Sequence, residues 1–310
     1  MSDIYDLAIL GGGPAGITAA IYASRARLNT IWIDKNFAPG GQITATYEVD
    51  NYPGMPGISG MDLGEAFGEH ARKLGLEPQR EKILSLENIS GDIKTIRTKK
   101  HEYQAKTLIL AFGAEHRKLD IPGEDDLGGL GVSYCATCDG AFYRDVPVCV
   151  VGGGDSACEE AMFLTRFASR VYLIHRRDTL RASKIMAERT LSNEKIFPMW
   201  NSTIVSYKTD DKGELEAVML KDVVEGDETE LPVKCVFMAI GHTPNTSFLG
   251  DLVDRDDAGY IIRKTGMMAT RTPGLFAAGD VADPHYRQAI SSAGMGCSAA
   301  IEAERYLLGL

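Results

Sequence analysis

No apolar run in this 310-residue chain approaches the roughly 18 residues that cross a bilayer as a helix, so a transmembrane helix is not expected. Positive charge is also short. Lys and Arg number 33 against 43 Asp and Glu, giving a net charge of −10. Nucleic-acid binders carry basic patches, and anionic membranes attract basic faces, so neither partner is expected. No basic stretch precedes the first apolar residues in Met1-Ser2-Asp3-Ile4-Tyr5-Asp6. A secretory leader is therefore not expected, Leu7 to Leu10 reads as a buried strand, and the expected compartment is cytoplasmic. Cysteine is scarce, at six residues, and the six histidines (His70, His101, His116, His175, His242 and His285) are scattered. No second Cys or His pair matches the Cys135–Cys138 pair, so no metal site is expected. Low-complexity segments are absent.

What is present are two glycine fingerprints, each in the setting that gives such a motif meaning. Residues 4–10 read as a strand, Gly11-Gly12-Gly13-Pro14-Ala15-Gly16 follows, and a helix runs on to about Arg27. Gly11 permits the tight turn, Gly13 lets backbone approach a pyrophosphate, and Gly16 lets helix and strand pack closely. The helix N-terminus offers N–H groups and partial positive charge to the phosphates. A second strand, 30–33, ends at Asp34, placed to accept hydrogen bonds from a ribose. The second fingerprint is Gly152-Gly153-Gly154-Asp155-Ser156-Ala157, between a strand at 147–151 and a helix to about Phe167. Its second strand, 170–174, ends at His175-Arg176-Arg177, with Arg181 a turn further on. A carboxylate repels a 2′-phosphate, whereas arginine holds one with forked hydrogen bonds. The second site is therefore read as an NADPH site and the first as an FAD site. Gly274 to Asp280 supports the FAD reading, because a strand there ends in Gly279-Asp280. Arg287-Gln288-Ala289 leads into a last helix, to about Leu308, whose N-terminal charge suits a reduced flavin ring.

The order is one nucleotide domain, a second inserted into it, and a return to the first. The expected fold is α/β, with two Rossmann-like three-layer domains. Residues 1–116 and 245–310 form the FAD domain, and 117–244 the NADPH domain. The crossings near 113–123 and 241–245 carry Gly and Pro and read as loops. Strands are expected at 107–111 and 236–240.

Cys135-Ala136-Thr137-Cys138-Asp139 lies just before the second fingerprint. Two cysteines at this spacing can interconvert between dithiol and disulfide. Asp139 reads as a proton donor and acceptor beside Cys138, or with Gly140 as a simple turn. Cys149, Cys158, Cys235 and Cys297 read as inert core.

With these motifs in this order, the chain resembles the low-molecular-weight thioredoxin reductases over essentially its whole length. Gly40-Gly41-Gln42 and Glu48 to Gly54 join the fingerprints in carrying the resemblance. It implies a homodimer with bound FAD that reduces thioredoxin at the expense of NADPH. Electrons then pass from NADPH to FAD, to the Cys135–Cys138 disulfide, and on to thioredoxin, with the NADPH domain rotating between half-reactions. Cys138 matches the flavin-proximal sulfur, Cys135 the sulfur that attacks thioredoxin, and Asp139 the acid/base group. Gln42, Thr46 and Asn51 match positions near the flavin. Ser156, Arg176, Arg177 and Arg181 match NADPH contacts. Pro14, Ala15, Lys35, Gly41 and Gly113 complete the candidate FAD set, and Gly241 the NADPH set. One departure stands out, Ala141-Phe142 after Asp-Gly where two aromatics are frequent; Tyr52, where a larger aromatic is sometimes seen, reads as neutral. Two rival readings remain. One is an NADPH-dependent reductase of another dithiol carrier or of a peroxidase; peroxidase-linked relatives usually carry an extra N-terminal thioredoxin-like region, which is not expected here with a fingerprint so near Met1. The other is a non-catalytic FAD-binding redox sensor, which needs no NADPH site beside a dithiol.

Overall fold

Leu7, Ala8, Ile9 and Leu10 are all fully buried, so the strand Ile4–Leu10 has no solvent face along its second half. A strand apolar on both sides belongs at the centre of a parallel sheet covered on both faces. In the computed structural model, which describes residues 4–46 and 48–310, this strand takes that place. Met1–Asp3, weighed above for a leader, and Tyr47 lie outside the described residues.

The chain divides into two units, Met1–Glu115 with Thr243–Leu310, and His116–His242. The second interrupts the first, as an inserted domain does. In the first unit, Ile4–Leu10 pairs in parallel with Thr30–Asp34 and with Glu102–Leu110. Thr30–Asp34 continues to Gln79–Arg80. The strand Glu102–Leu110 starts earlier than the 107–111 expected from sequence, because its two halves serve two neighbours. Its first half pairs antiparallel with Lys94–Thr98, which pairs in turn with Ile83–Glu87, and its second half pairs parallel with Leu275–Ala277. Odd and even positions of the central strand feed separate cores. Ala8 and Leu10 join Ile96, Leu108 and Leu275; Leu7 and Ile9 join the helices Pro14–Arg25 and Ala289–Leu308. Those helices approach backbone to backbone: a Cβ on Gly296 would lie 2.0 Å from the carbonyl oxygen of Ala15.

The second unit repeats the plan. Five parallel strands run in the order Ile196–Met199, Arg170–Ile174, Pro147–Val151, Val236–Met238, Val132–Ser133. Pro147–Val151 again divides its residues between two cores, Cys149 and Val151 on one side, Val148 and Val150 on the other. An antiparallel ribbon, Ser202–Thr209, Leu215–Asp222 and Glu228–Pro232, completes the unit. The helix after the fingerprint spans Asp155–Leu164 and stops short of Phe167. The crossings, expected as loops, contain the short strands Ala114–His116 and His242–Pro244, which pair as a two-stranded sheet.

Candidate nucleotide sites and active site

Gly11 has φ +124°, and a Cβ there would fall 2.1 Å from the Ala111 carbonyl oxygen. Gly16 faces the Gly11 carbonyl oxygen just as closely, at 2.0 Å. Both glycines are therefore demanded by close approach. Gly13 is different: the nearest neighbour of a Cβ there, the Gly40 carbonyl oxygen, is 4.0 Å away, leaving the backbone open to a ligand. Pro14 opens the helix, where its missing N–H costs nothing, and Ala15 is buried.

Asp34 ends its strand buried, with Lys35 exposed beside it. Among the described residues its Oδ2 has no hydrogen-bond partner, and Arg80 stands off at 3.9 Å. Burial pushes the Asp34 carboxyl above the usual carboxylate range, against backbone N–H bonds from Asn36 and Lys35 and the charge of Arg80. A buried acceptor without a donor is costly, and a ribose hydroxyl would satisfy it. The Gly40 N–H donates to the Gly12 carbonyl at 2.9 Å, which brings Gly41 beside Gly13; exposed Gln42 follows it in the chain, and the Thr46 carbonyl accepts from the Gly60 N–H at 3.0 Å.

The late segment reaches the same place. Gly279, at φ +78°, would put a Cβ 2.9 Å from that of Ala15. Asp280 accepts from Ser292 Oγ at 3.0 Å, and burial raises its pKa against that bond. Gln288 caps the helix Ala289–Leu308 reciprocally with Ser291, and Asn51 Nδ2 donates to Gln288 Oε1 at 3.2 Å. Arg287 holds φ +50°, a left-handed conformation unusual away from glycine. The structure thus gathers Gly11–Gly16, Gly41, Asn51, Gly279-Asp280 and Arg287–Ala289 around two helix N-termini. A Cβ on Gly113, at φ +68°, would meet nothing within 4 Å.

In the second fingerprint a Cβ on Gly152 would meet the Ala239 carbonyl oxygen at 2.5 Å. Ala157 is buried, whereas Gly154 is open and Asp155 and Ser156 are exposed. His175 occupies the place of Asp34, with Nε2 buried and, among the described residues, unpartnered. Burial, and then the charges of Arg181, Arg177 and Arg176, push its pKa down. The histidine is therefore neutral near pH 7, and the cationic group is the three exposed arginines alone. Their loop is pinned to the glycine loop: the Arg181 N–H donates to the Gly153 carbonyl at 2.6 Å, and the Ser183 N–H to Asp155 Oδ1 at 3.0 Å. Gly241, at φ +102°, accepts from the Arg117 N–H at 3.0 Å.

Cys135 and Cys138 form a disulfide at the start of a one-turn helix, Ala136–Asp139. Cys135 is the N-cap, and the Cys138 N–H donates to its sulfur at 3.2 Å. Such a donor also favours a thiolate on Cys135 once the bond opens. Asp139 is half-buried, which raises its pKa, opposed by a hydrogen bond from Ser133. Gly140 is not the turn glycine its sequence suggests: its φ is −58°, and a Cβ there would crowd the Leu164 side chain, 2.9 Å from Cδ2. Phe142 is exposed. Ser133, whose role no motif announces, was missed in the sequence; only its place two residues before Cys135 could have drawn notice. Cys149, Cys158 and Cys235 are buried, but Cys297 is only half-buried and contacts the Tyr22 hydroxyl, which corrects its reading as core. Among the described residues no cluster of His, Cys, Asp and Glu could hold a metal, and no helix is long and apolar enough to cross a membrane.

Known proteins share this arrangement along the whole chain. The profile of the pyridine nucleotide-disulphide oxidoreductase family matches residues 5–296. A thioredoxin reductase of Mycolicibacterium smegmatis is 47% identical, over 98% of this chain and 97% of its own. The mitochondrial thioredoxin reductase 1 of Arabidopsis thaliana is 46% identical, over 97% of this chain and 83% of its own. The crystal structure of thioredoxin reductase from Streptococcus pyogenes is 41% identical, covers all of both chains and superposes with a TM-score of 0.94. Two fingerprints, an intervening Cys-x-x-Cys disulfide and this full-length likeness place the chain among the pyridine nucleotide-disulphide oxidoreductases, a family of flavin- and pyridine-nucleotide-using enzymes, in its thioredoxin reductase branch.

Proposed function

We propose that this oxidoreductase reduces the disulfide of thioredoxin with electrons from NADPH, through FAD and the Cys135–Cys138 disulfide. The observation that carries the reading is that disulfide, followed directly by a half-buried acid, in the unit that presents the arginine-flanked fingerprint. The residues fit both cofactors. Open Gly13 and the unpartnered oxygen of Asp34 suit the pyrophosphate and ribose of FAD. Gly154 and Arg176, Arg177 and Arg181 suit the pyrophosphate and 2′-phosphate of NADPH. Bound together, flavin and nicotinamide supply two electrons at a time to the disulfide.

The chain's own residues then manage sulfur and protons. Cys135, as thiolate, attacks the thioredoxin disulfide, forming a mixed disulfide and expelling one thioredoxin sulfur, which takes its proton from Asp139. Cys138 gives its proton to the Asp139 carboxylate and attacks Cys135. The Cys135–Cys138 bond re-forms and the second thioredoxin sulfur leaves, protonated from solvent. The Cys138 N–H favours Cys135 as attacker, and burial keeps Asp139 able to carry a proton. Exposed Phe142 is an apolar anchor for the partner, and turnover uses rotation of the inserted unit about its two crossings. Four free cysteines beside one disulfide suit a cytoplasmic setting, and a homodimer completes the reading.

The test is NADPH consumption by the FAD-loaded protein with thioredoxin and a reducible protein disulfide, against Cys135→Ser and Cys138→Ser. The wild type should turn over, and both variants should stop while their flavin still bleaches with NADPH. Bleaching without transfer to thioredoxin would move the assignment to another dithiol carrier, a reading that the lone aromatic of Ala141-Phe142 favours.

A further inference from the structure

Ser133 ends the two-residue strand Val132–Ser133, where it pairs with Phe237, and its side chain is buried. Its hydroxyl has three neighbours. Oγ accepts from the Cys135 N–H at 3.1 Å, donates to Asp139 Oδ2 at 2.6 Å, and lies 3.5 Å from the Cys135 carbonyl oxygen. A hydroxyl offers one proton and two lone pairs. One lone pair takes the Cys135 N–H throughout, leaving the proton and the other lone pair to face Asp139.

Those two are enough for both forms of the acid. With Asp139 ionised, the Ser133 proton points at Oδ2. With Asp139 protonated on Oδ2, the carboxyl donates to Ser133 Oγ, and the serine proton turns to the Cys135 carbonyl oxygen. Neither form leaves a buried donor or acceptor of this trio unmatched, which would otherwise be costly. We propose that Ser133 is the positioning residue of the exchange centre, holding Asp139 to the backbone of Cys135 through both protonation states by reversing their shared hydrogen bond. The inference rests on the proton role given to Asp139 above. In the first exchange Asp139 loses a proton to the departing partner sulfur, and in the second it regains one from Cys138. The serine proton reorients each time and is never transferred.

Once the disulfide opens, the Cys135 and Cys138 sulfurs titrate in the same turn as Asp139; the other titratable groups that face it are Tyr143 and Cys235, which hydrogen-bond each other and are held neutral by burial. They carry no charge that would compete with the carboxyl at neutral pH. Ser133 is thus the hydrogen-bonding group that answers the charge of Asp139.

The experiment uses pre-reduced, FAD-loaded protein and bis(2-hydroxyethyl) disulfide, an alkyl disulfide whose departing sulfur must be protonated at neutral pH, so thioredoxin is not involved. Exchange rates are measured against pH for wild type, Ser133→Ala, Asp139→Asn and the double variant. Ser133→Ala should slow exchange about tenfold and move the Asp139 limb to higher pH, because the bond that favours the carboxylate is gone. In the Asp139→Asn background the same serine change should alter the rate less than about twofold, as a residue acting through another does. Ser133→Thr should restore the profile and Ser133→Val, of the same shape, should not, which covers the case of an alanine variant that fails to fold. Equal losses with and without the Asp139 carboxyl, or an unmoved limb in both Ala and Val variants, would overturn the inference. An unchanged profile in Asp139→Asn alone would remove the proton role and this inference with it. Wild-type transfer to thioredoxin, scored separately, tests the partner alone.

Discussion

Gly12 lies against the carboxyl group of Asp34: a Cβ on the glycine would fall 2.2 Å from Oδ2 and 2.6 Å from Cγ. The second fingerprint repeats the relation, with Gly153 against the ring of His175 at 2.3 Å. Both partners are buried, so a Cβ at either glycine must push its partner aside. Gly12→Ala should therefore lower FAD content by about tenfold or more through displacement of Asp34, and cost about 1–3 kcal/mol of stability by overpacking. Gly153→Ala should instead raise the KM for NADPH and leave FAD content unchanged. Flavin absorbance and steady-state kinetics separate the two. A Gly12→Ala protein that keeps its flavin would disprove the role given to that contact.

Asp34→Asn should act with opposite signs on the free and the loaded protein. Burial raises the Asp34 pKa above its ordinary 3.8. A raised folded pKa gives stability that is fully present below the unfolded value and lost as pH rises through the folded one. At neutral pH the ionised Asp34 thus weakens the FAD-free protein, and an amide of the same shape removes that charge. The variant should melt higher than wild type without FAD, and bind FAD about tenfold more weakly or worse, having lost a charged acceptor. Melting curves with and without FAD decide the matter. A lower melting point without FAD would mean that the charge is compensated.

His175 gives a pH dependence of the other sign. Its folded pKa lies below the ordinary 6.5, through burial and then the neighbouring arginines. Above 6.5 the folded and unfolded chains both carry it neutral. As pH falls below that value the unfolded chain takes up a proton that the folded site refuses, and stability drops until the folded group titrates as well. His175→Asn should flatten the melting temperature over this acid window. It should also leave NADPH selectivity over NADH largely intact, since that rests on Arg176, Arg177 and Arg181. Loss of the selectivity with the acid dependence unchanged would exchange the two roles.

These positions were legible in the sequence because each combines a local backbone demand with a chemical one. Gly11, Gly13, Gly16 and Asp34 stand at spacings that a strand, a tight turn and a helix dictate, and the basic counterpart at His175 to Arg181 can be read the same way. Gly140 was less legible. Asp-Gly usually marks a turn, but here the glycine answers to Leu164, a residue far away in sequence. Ser133 was invisible for a related reason. Its partners are set by a two-residue strand whose register depends on Val236–Met238, about a hundred residues on. The crossings read as loops from their Gly and Pro content, because strand pairing between segments so far apart leaves no local periodicity. Cys297 looked like core among alanines and glycines, since sequence cannot tell which face of a long helix stays open.

The crossings carry the last prediction. On one side Asn245 binds Phe112 and Gly113, its N–H reaching the Gly113 carbonyl at 3.0 Å and its side-chain amide the Phe112 carbonyl at 3.0 Å. On the other, the Arg117 N–H reaches the Gly241 carbonyl at 3.0 Å. Between these ties Thr243 is exposed in the middle of the strand His242–Pro244, so a substitution there disturbs little side-chain packing. Proline fixes φ near −65° and stiffens the strand ahead of Pro244; alanine leaves the backbone free. If turnover requires the crossing to change conformation, denying one residue its freedom costs about 1 kcal/mol or more, roughly fivefold in rate. Thr243→Pro should then lower thioredoxin turnover by about that factor relative to Thr243→Ala, with FAD content equal in both. Equal turnover in two well-folded variants would mean that the inserted unit does not need this crossing to move. The rotation in the proposed cycle would then have to be abandoned, while the sulfur chemistry of Cys135 and Cys138 would stand, because it depends on neither crossing.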